Sequence, residues 1–250
     1  MGDSLKRHVL ITGGGSGIGL ATAQRLDADG YSVTVCGRGE TSLKNSGFAY
    51  ALMDVTNAQS IADGFAAATK HHGPVDIVIS NAGSAQTAPA LKTSLEMWDA
   101  MIAVNLTGAF LCAQAGLPGM VERGFGRFIV VASTAALKTY PYTMAYTAAK
   151  HGTLGLVRSL ALELAKTGVT CNAVCPGFTD TDIVRTAVQN IAAKTGRSED
   201  EAMAAFTKDN PTGRLITPYE VADSIAWLCG VGAGSVNGQA IMIDGGESIQ

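Results

Sequence analysis

Short apolar runs alternate with longer amphipathic segments along the whole chain. The apolar runs predict seven β-strands, at residues 8–12, 32–36, 48–53, 75–80, 126–132, 169–175 and 239–243. The longer segments have helical periodicity and predict helices near residues 18–29, 57–71, 94–122, 146–166 and 218–229. Several of the strands contain nearly continuous apolar runs, which is typical of strands that are buried on both faces.

This alternation predicts an α/β fold, a Rossmann-type doubly wound parallel sheet of about seven strands with helices on both faces. The chain has 250 residues, of which 47% are hydrophobic and 16% charged, and this favours a single domain over residues 1–250. The segment 180–212 is rich in Thr, Ala and charged residues and is too long for a plain connection. We therefore predict that it is a lid over the active site.

Four predicted helix starts have the Ser/Thr-x-x-Glu/Gln spacing of a capping box, in which a hydroxyl and a carboxyl or amide side chain satisfy backbone N–H groups. The pairs are Thr56 and Gln59, Thr93 and Glu96, Ser198 and Glu201, and Thr217 and Glu220. They support the predicted helix boundaries and carry no information about function.

Composition excludes several classes of function. A net charge of −3 and the absence of a basic stripe argue against a nucleic-acid partner. The five cysteines are scattered, form no C-x-x-C pair and have no nearby ligand set, so we expect no metal site and a reducing cytoplasm. The first residues lack the apolar core of a signal peptide, and no continuous run reaches the 18 apolar residues of a membrane span.

The first predicted strand leads into a glycine-rich turn and then a helix, through Thr12-Gly13-Gly14-Gly15-Ser16-Gly17-Ile18-Gly19. In this order, backbone N–H groups and the positive end of the helix dipole converge and make an anion site. Glycines also let a pyrophosphate approach the backbone. The glycine spacing is neither G-x-G-x-x-G nor that of a Walker loop. The motif alone therefore also fits a tight turn that binds no ligand. We interpret it as the site of a phosphate-bearing cofactor.

A tyrosine and a lysine stand four residues apart on the predicted helix 146–166. Tyr146 and Lys150 therefore share a helix face, about 6 Å apart along its axis, and Ser133 follows the preceding strand. A nearby ammonium and a bound nicotinamide favour the phenolate of a tyrosine, whose pKa is ordinarily near 10. The predicted chemistry is proton exchange between Tyr146 and an alcohol or ketone oxygen that Ser133 hydrogen-bonds, with hydride transfer to or from the nicotinamide.

Other polar or turn residues follow the predicted strands at the same edge of the sheet. Asp54 follows the third strand, Asn81-Ala82-Gly83 the fourth and Pro176-Gly177 the sixth. Each of them alone fits a cap or a turn. Together they indicate one ligand cleft, because parallel doubly wound sheets bind ligands outside the carboxyl ends of their strands.

On these residues the chain resembles the short-chain dehydrogenase/reductase superfamily, in its single-domain branch, from Thr12 to Gly246. The matching motifs are Thr12-Gly13-x3-Gly17-Ile18-Gly19, Asn81-Ala82-Gly83, Val104-Asn105-Leu106, Ser133, Tyr146-x3-Lys150 and Pro176-Gly177-x3-Thr181. The resemblance implies that Tyr146 is the general acid/base, that Lys150 lowers the pKa of Tyr146 and binds the nicotinamide ribose, that Ser133 polarises the substrate oxygen and that Asn105 holds a water that relays protons.

The resemblance also implies which residues bind the cofactor, with Thr181 at the carboxamide and Asp54 at the adenine. The expected cofactor-binding residues are Gly13, Gly15, Ser16, Gly17, Ile18, Gly19, Arg38, Asp54, Val55, Asn81, Ala82, Gly83, Tyr146, Lys150, Pro176, Gly177, Thr179 and Thr181. Members of this superfamily are commonly homotetramers, and helices 94–122 and 146–166 have more apolar positions than one buried face requires, so a homotetramer is expected.

The end of the second strand distinguishes NAD from NADP. An acidic residue there bonds the ribose 2′-hydroxyl, but this chain has Gly37 followed by Arg38, whose guanidinium suits a 2′-phosphate. We therefore predict NADP(H). NAD(H) is the alternative, because Ser16 is not the extra basic residue of many NADP-binding relatives and because Arg38 also fits a solvated charge beside Glu40.

The expected substrate is a small molecule that binds in a mostly apolar pocket. The segment 195–201 resembles 3-hydroxybutyrate dehydrogenases, but Ala135 and Thr143 replace the polar or cationic residues with which those relatives hold a carboxylate. The segments 35–40 and 174–178 resemble ketoreductases, which favours a 3-oxoacyl thioester or a similar neutral ketone. The alternatives are an NAD-dependent dehydrogenase of a hydroxy acid, polyol or cyclic alcohol, and a catalytically inactive dinucleotide-sensing regulator.

Overall fold

Seven parallel strands form one sheet in this computed structural model, which describes residues 6–249 except for the side chain of Lys194. The strands are β1 (His8–Thr12), β2 (Ser32–Gly37), β3 (Ala49–Leu52), β4 (Ile77–Ser80), β5 (Gly126–Val131), β6 (Val169–Pro176) and β7 (Ala240–Ile243). Their spatial order is β3-β2-β1-β4-β5-β6-β7. The order reverses between β1 and β4, and sheets of this class bind ligands at that switch point.

All five predicted helical regions are present. Residues 6–249 form nine α-helices, which connect the strands. They are α1 (Gly17–Ala28), α2 (Glu40–Asn45), α3 (Ala58–His72), α4 (Leu95–Ile102), α5 (Gly108–Glu122), α6 (Met144–Glu163), α7 (Asp182–Thr195), α8 (Glu199–Thr207) and α9 (Pro218–Cys229). Helix α2 has only six residues, too few for a periodic pattern to reveal, and it was not predicted.

The helices cover both faces of the sheet, which confirms the predicted doubly wound fold. On one face Leu10, Val78 and Phe128 are fully buried and belong to the core formed with α3, α5 and α6. On the other face Ile11 and Ile79 belong to the core formed with α1 and α9. Because neighbouring strand residues point to opposite faces, burial of both faces requires apolar residues at successive positions.

Two helices begin one residue later than the capping pattern predicts. Asn57, and not Thr56, caps α3, while the Thr56 hydroxyl donates to the carboxylate of Asp54 at 2.7 Å. Likewise Ser94, and not Thr93, caps α4. In each case the next residue also has a side chain that can accept from the first turn, and spacing alone does not distinguish the two candidates. The capping boxes predicted for α8 and α9 form as expected.

The predicted helix 94–122 is interrupted by a π-helical turn at Ala103–Thr107. The stretch Leu95–Glu122 is the one helix among residues 6–249 that is long and apolar enough to cross a membrane by length and composition, with a mean hydropathy of 1.5 over an 18-residue window. In this fold α5 packs against β4 and β5. Core helices of soluble proteins meet the same criterion, so this stretch is weak evidence for a membrane span.

The segment 180–212 contains α7 and α8. Its buried residues Val184, Val188 and Ala202 form a small core of their own, against which Phe178 and Phe206 pack. The segment is therefore an ordered helical pair beside the carboxyl ends of the strands, and its action as a lid stays a prediction.

Candidate active site

A cavity of ≈ 330 Å³ opens at the carboxyl ends of the strands, at the switch point of the sheet. Many of the predicted site residues line it. They are Gly13, Ser16, Gly17, Ile18, Arg38, Asp54, Val55, Asn81, Ala82, Gly83, Asn105, Tyr146, Lys150 and Thr181. The fold thus brings together residues from the glycine turn, from four strand ends and from α6.

Six predicted site residues do not line this cavity, namely Gly15, Gly19, Ser133, Pro176, Gly177 and Thr179. Gly19 serves close packing: a Cβ atom there would lie 2.3 Å from the carbonyl oxygen of Gly13. At Gly15 a Cβ atom would lie 2.9 Å from the hydroxyl of Ser42. The roles of these six residues toward a cofactor or substrate stay predictions.

Some residues that line the cavity were not among the predicted catalytic or cofactor-binding residues, although Asp182 and Ile183 belong to the predicted lid segment 180–212. They are Gly37, Met53, Ser84, Ala85, Val104, Val131, Ala132, Asp182 and Ile183. Most of them are apolar or small and carry no chemical signal of their own. Gly37, Met53, Val131 and Ala132, however, lie at the ends of predicted strands or directly after them, at the ligand-binding edge of a doubly wound sheet.

The glycine turn leaves the start of α1 open toward the cavity. Gly13 and Gly17 have φ angles of +66° and +52°, a left-handed conformation that side chains with a Cβ atom rarely adopt. Ser16 is the N-cap residue of α1, and no side chain caps the first turn. Uncapped N–H groups at a helix start and a glycine surface with room for a close approach fit a diphosphate.

Asn81 holds the glycine turn in place. Its side-chain amide donates to the carbonyl oxygens of Thr12 at 2.9 Å and Gly13 at 3.1 Å. The Thr12 hydroxyl oxygen in turn accepts from the backbone N–H groups of Asn81 and Ala82, each at 3.0 Å. These bonds join the end of β4 to the end of β1 and so set the shape of the switch point.

Arg38 is exposed at the rim of the cavity. The nearby carboxylate of Glu40 bonds Lys44 at 2.9 Å and Tyr50 at 3.2 Å, and not Arg38. The pKa of Asp54 lies below its usual range, chiefly because the Thr56 backbone N–H and hydroxyl bond its carboxylate, with a smaller effect of the Arg38 charge. A guanidinium at this rim suits an anionic group of a ligand.

Tyr146 and Lys150 both line the cavity from the first turns of α6, as their spacing predicts. The Lys150 ammonium nitrogen lies 5.6 Å from the centre of the Tyr146 ring and donates to the carbonyl oxygen of Val131 at 3.0 Å. Ser133 follows β5, and its hydroxyl oxygen accepts from the backbone N–H of Ala135 at 3.1 Å. The proton of the Ser133 hydroxyl therefore remains available for another acceptor.

The electrostatics of this group differ from the expectation in one respect. Burial raises the pKa of the Tyr146 phenol, and the interaction with Ser133 lowers it by less. Burial also lowers the pKa of Lys150 to about 8. The expected lowering of the Tyr146 pKa by Lys150 is therefore not found in the protein alone, because burial disfavours both charged forms. The phenol keeps its proton at neutral pH.

Asn105 lies in the π-helical turn and is only 3% exposed. Its amide nitrogen donates to the carbonyl oxygens of Ser84 at 2.9 Å and Met101 at 3.1 Å. Its Oδ1 atom has no hydrogen-bond partner and is one of three such buried side-chain atoms in the described part of the chain. A buried acceptor without a partner is costly, so this atom suits a donor such as a water held in the cavity.

The described residues 6–249 include all five cysteines. Cys36, Cys112, Cys171, Cys175 and Cys229 are free and buried. No group of three or more His, Cys, Asp or Glu side chains that could hold a metal ion occurs within that range.

The chain matches a family model described as short chain dehydrogenase over residues 7–192. The 3-oxoacyl-[acyl-carrier-protein] reductase MabA of Mycobacterium tuberculosis is 38% identical over 242 residues, covering 97% of this chain and 93% of that protein. The D-beta-hydroxybutyrate dehydrogenase of Cupriavidus necator is 37% identical over 250 residues, covering 96% and 97%.

Solved structures show the same architecture over the whole chain. A variant of actinorhodin polyketide ketoreductase with NADPH superimposes with a TM-score of 0.93, at 36% identity and with 100% of both chains covered. Levodione reductase superimposes with a TM-score of 0.92 at 30% identity, covering 97% of this chain and 98% of that one. With the family model and these relatives, the expected resemblance is confirmed: the chain belongs to the short-chain dehydrogenase family.

Proposed function

We propose that this protein is an NADP(H)-dependent reductase of a ketone, with a 3-oxoacyl thioester or a similar neutral ketone as substrate. One observation carries the proposal: Tyr146 and Lys150 line the same cavity as the uncapped start of α1. Relatives named as ketoacyl and 3-oxoacyl reductases support the reaction class. The ketoreductase structure with NADPH supports the cofactor.

The residues of the cavity fit a dinucleotide. We assign its diphosphate to the glycine turn and the start of α1, its 2′-phosphate to Arg38 and its nicotinamide ribose to Tyr146 and Lys150. When bound, the reduced nicotinamide supplies a hydride to the carbonyl carbon.

The protein's own residues supply the proton and hold the substrate oxygen. Tyr146 donates its phenolic proton to the carbonyl oxygen, since burial keeps the phenol neutral before reaction. Ser133 donates a hydrogen bond to the same oxygen, since its hydroxyl accepts from the Ala135 N–H and still has its own proton to donate. Asn105 Oδ1 accepts from a water that returns a proton to Tyr146 by way of Lys150.

The substrate side of the site favours a neutral ketone over a free acid. Ala135 and Thr143 carry no charge at the positions where 3-hydroxybutyrate dehydrogenases hold a carboxylate. The Lys138 ammonium, on the loop after Ser133, is already paired with the carboxylate of Glu247 at 3.0 Å. A carboxylate that lost its water shell here would therefore lack a cationic partner.

A comparison of four substrate and cofactor pairs tests the proposal. The rate of dihydronicotinamide oxidation is measured with an acetoacetyl thioester or free acetoacetate, each with NADPH or NADH. The expected result is the highest kcat/KM for the thioester with NADPH. Preference for acetoacetate with NADH would instead establish the hydroxy-acid dehydrogenase, and dinucleotide binding without turnover of any ketone would establish the sensing regulator. A Thr143→Lys variant should improve the use of acetoacetate relative to the thioester.

The quaternary structure and the lid belong to the same proposal. Phe110 on α5 and Leu162 on α6 are large apolar residues that are exposed in the single chain, which supports their burial in a homotetramer. Light scattering on the purified protein tests this, and a monomer would refute it. The single domain over residues 1–250, the lid at 180–212 and a cytoplasmic location complete the proposal, the last supported by free, buried cysteines.

A further inference from the structure

A buried carboxylate near the C-terminus contacts the loop that follows Ser133. Glu247 is only 3% exposed, and its Oε1 atom accepts from the Tyr140 hydroxyl at 2.6 Å and from the Lys138 ammonium at 3.0 Å. A buried carboxylate is costly unless such donors compensate it. The contacts therefore tie the C-terminal turn firmly to this loop.

The turn that carries Glu247 is itself held to the end of β7. Its backbone N–H donates to the carbonyl oxygen of Asp244 at 3.2 Å. The Asp244 carboxylate accepts from the backbone N–H groups of Gly246 at 3.0 Å and Ser248 at 2.9 Å. Glu247 Oε2 also lies beside Gly177: a Cβ atom added to Gly177 would be 3.3 Å from this oxygen. The carboxylate is thus fixed between the ends of β6 and β7.

The direction of the hydrogen bonds links Glu247 to the residue next to Ser133. A phenol has one proton, and that of Tyr140 goes to the Glu247 carboxylate. The Thr134 hydroxyl, 2.7 Å from the Tyr140 oxygen, must therefore be the donor in that contact. The Thr134 carbonyl oxygen accepts from the Lys138 backbone N–H at 3.0 Å. Two hydrogen bonds of fixed direction therefore connect the three side chains: Thr134 donates to Tyr140, and Tyr140 donates to Glu247.

Tyr140 also connects this loop to the helices of segment 180–212. Its ring packs edge-on against Phe178, with ring centres 5.8 Å apart, and Phe178 packs edge-on against Phe206 of α8 at 5.0 Å. Such aromatic pairs have a preferred geometry, so the position of one ring constrains that of its neighbour. The side chain that Glu247 holds therefore adds, through Phe178, one support to α8 beside the small core that α7 and α8 form.

We propose that Glu247 is a positioning residue for the reduction: by holding Tyr140, it fixes both the loop after Ser133 and α8 on the substrate side of the site. This inference rests on the proposed function for the identity of the reaction. Neither Glu247, Tyr140 nor either phenylalanine lines the cavity assigned to the dinucleotide. Because Ser133 holds the ketone oxygen in the proposed reaction, the expected effect of the contact is on the ketone, and NADPH titration measures any effect that passes through the neighbouring Gly177.

Steady-state kinetics of three variants tests the proposal: Glu247→Gln, Tyr140→Phe and the double variant. Loss of one charge-assisted hydrogen bond predicts a rise of roughly tenfold in the KM for the ketone. The dissociation constant of NADPH, measured by fluorescence titration, should stay within about twofold. Both changes weaken the bond between Tyr140 and Glu247, and the ion pair with the partly exposed Lys138 that Glu247→Gln also removes contributes little, so Glu247→Gln should add less than about twofold in the Tyr140→Phe background.

Glu220→Gln is the matched control, since that carboxylate is bonded to Arg214 at 2.7 Å and caps α9 away from the site. It should lower the Tm without raising the ketone KM. An unchanged KM in Glu247→Gln and Tyr140→Phe, fully additive effects in the double variant, or a KM rise of equal size in the control would overturn the proposal.

Limited proteolysis gives a readout that needs no turnover. Arg197 lies in the exposed connection between α7 and α8, and trypsin should cut there several times faster in Glu247→Gln and Tyr140→Phe than in the wild type or in Glu220→Gln. Equal cleavage rates in all four proteins would refute the inference. If the wild-type protein reduces no ketone but this cleavage pattern appears, the proposed function fails and the positioning contact stands.

Discussion

The Lys150 ammonium nitrogen lies 5.6 Å from the centre of the Tyr146 ring, and its hydrogen-bond partner is the carbonyl oxygen of Val131. Within residues 6–249, no carboxylate forms a salt bridge with this buried ammonium. Burial therefore lowers the pKa of Lys150 to about 8. A charge in this position costs stability, and the site retains it beside the phenol that we assign as proton donor.

Replacement of Lys150 by methionine should make the dinucleotide-free protein more stable at neutral pH. Between about pH 8 and the ordinary lysine pKa of 10.5, the folded wild type binds fewer protons than the unfolded chain, so its stability rises with pH relative to the variant. The difference should shrink by up to about 3 kcal/mol across that window. Urea denaturation at several pH values measures it. A difference that does not change with pH would contradict the buried ammonium.

Arg38→Ala should weaken NADPH binding by about 10- to 100-fold, the effect of losing a charge-assisted bond to a phosphate. Binding of NADH should change little, because NADH has no 2′-phosphate. Titration of both dinucleotides measures this, with Lys44→Ala as the control because Lys44 is a neighbouring cation that pairs with Glu40. Equal losses of affinity for NADPH and NADH would show that Arg38 does not bind the 2′-phosphate.

Gly19→Ala should abolish dinucleotide binding, since its Cβ atom would lie 2.3 Å from the carbonyl oxygen of Gly13 and would displace the glycine turn. It should also lower stability by about 1–3 kcal/mol. Gly155→Ala is the control, because nothing lies within 4 Å of a Cβ atom at that helical position. Normal NADPH binding by Gly19→Ala would show that the turn does not hold the diphosphate.

His8 is buried at the amino end of β1, on the side of the sheet away from the cavity. We expect its protonation to destabilise the fold in acid. Its Nδ1 atom lies 2.8 Å from the carbonyl oxygen of Gly73, so it carries the proton, and Nε2 accepts from the Thr34 hydroxyl at 2.9 Å. Burial lowers the pKa of His8 below its ordinary 6.5, and the charges of His72 and His71 act in the same direction. The hydrogen bond to Gly73 and the charge of Asp76 oppose this shift.

Because the folded state binds fewer protons, the stabilising effect of neutral His8 is present above about pH 6.5 and is lost as the pH falls below that value. His8→Gln should therefore cost about 1–3 kcal/mol at pH 8 and less at pH 5. Chemical denaturation at both pH values measures the difference, with the exposed His151→Gln as control. A cost for His8→Gln that is equal at both pH values would contradict the assignment.

Periodicity and short motifs were enough to predict the sheet and most of the cavity, because burial on two faces and strand-end geometry are encoded locally. The contacts that fix the site are not local. Tyr140 and Glu247 are 107 positions apart in the sequence, and nothing in either neighbourhood indicates their pairing. The rise in the pKa of Tyr146 also could not be predicted from the sequence, because it depends on how deeply the fold buries the phenol. The four-residue spacing was enough to predict that Tyr146 and Lys150 share a face of α6, but it carries no information about their solvent exposure.

The Tyr146→Phe variant removes the phenolic hydroxyl and keeps the ring, and so tests the assigned proton donor directly. NADPH titration and turnover of the acetoacetyl thioester are measured on the same preparation. NADPH affinity should stay close to that of the wild type, and turnover should fall by about 10²- to 10⁴-fold, since the proton donor is gone. Turnover close to that of the wild type, with NADPH bound, would contradict the role of Tyr146 on which the proposed reaction depends.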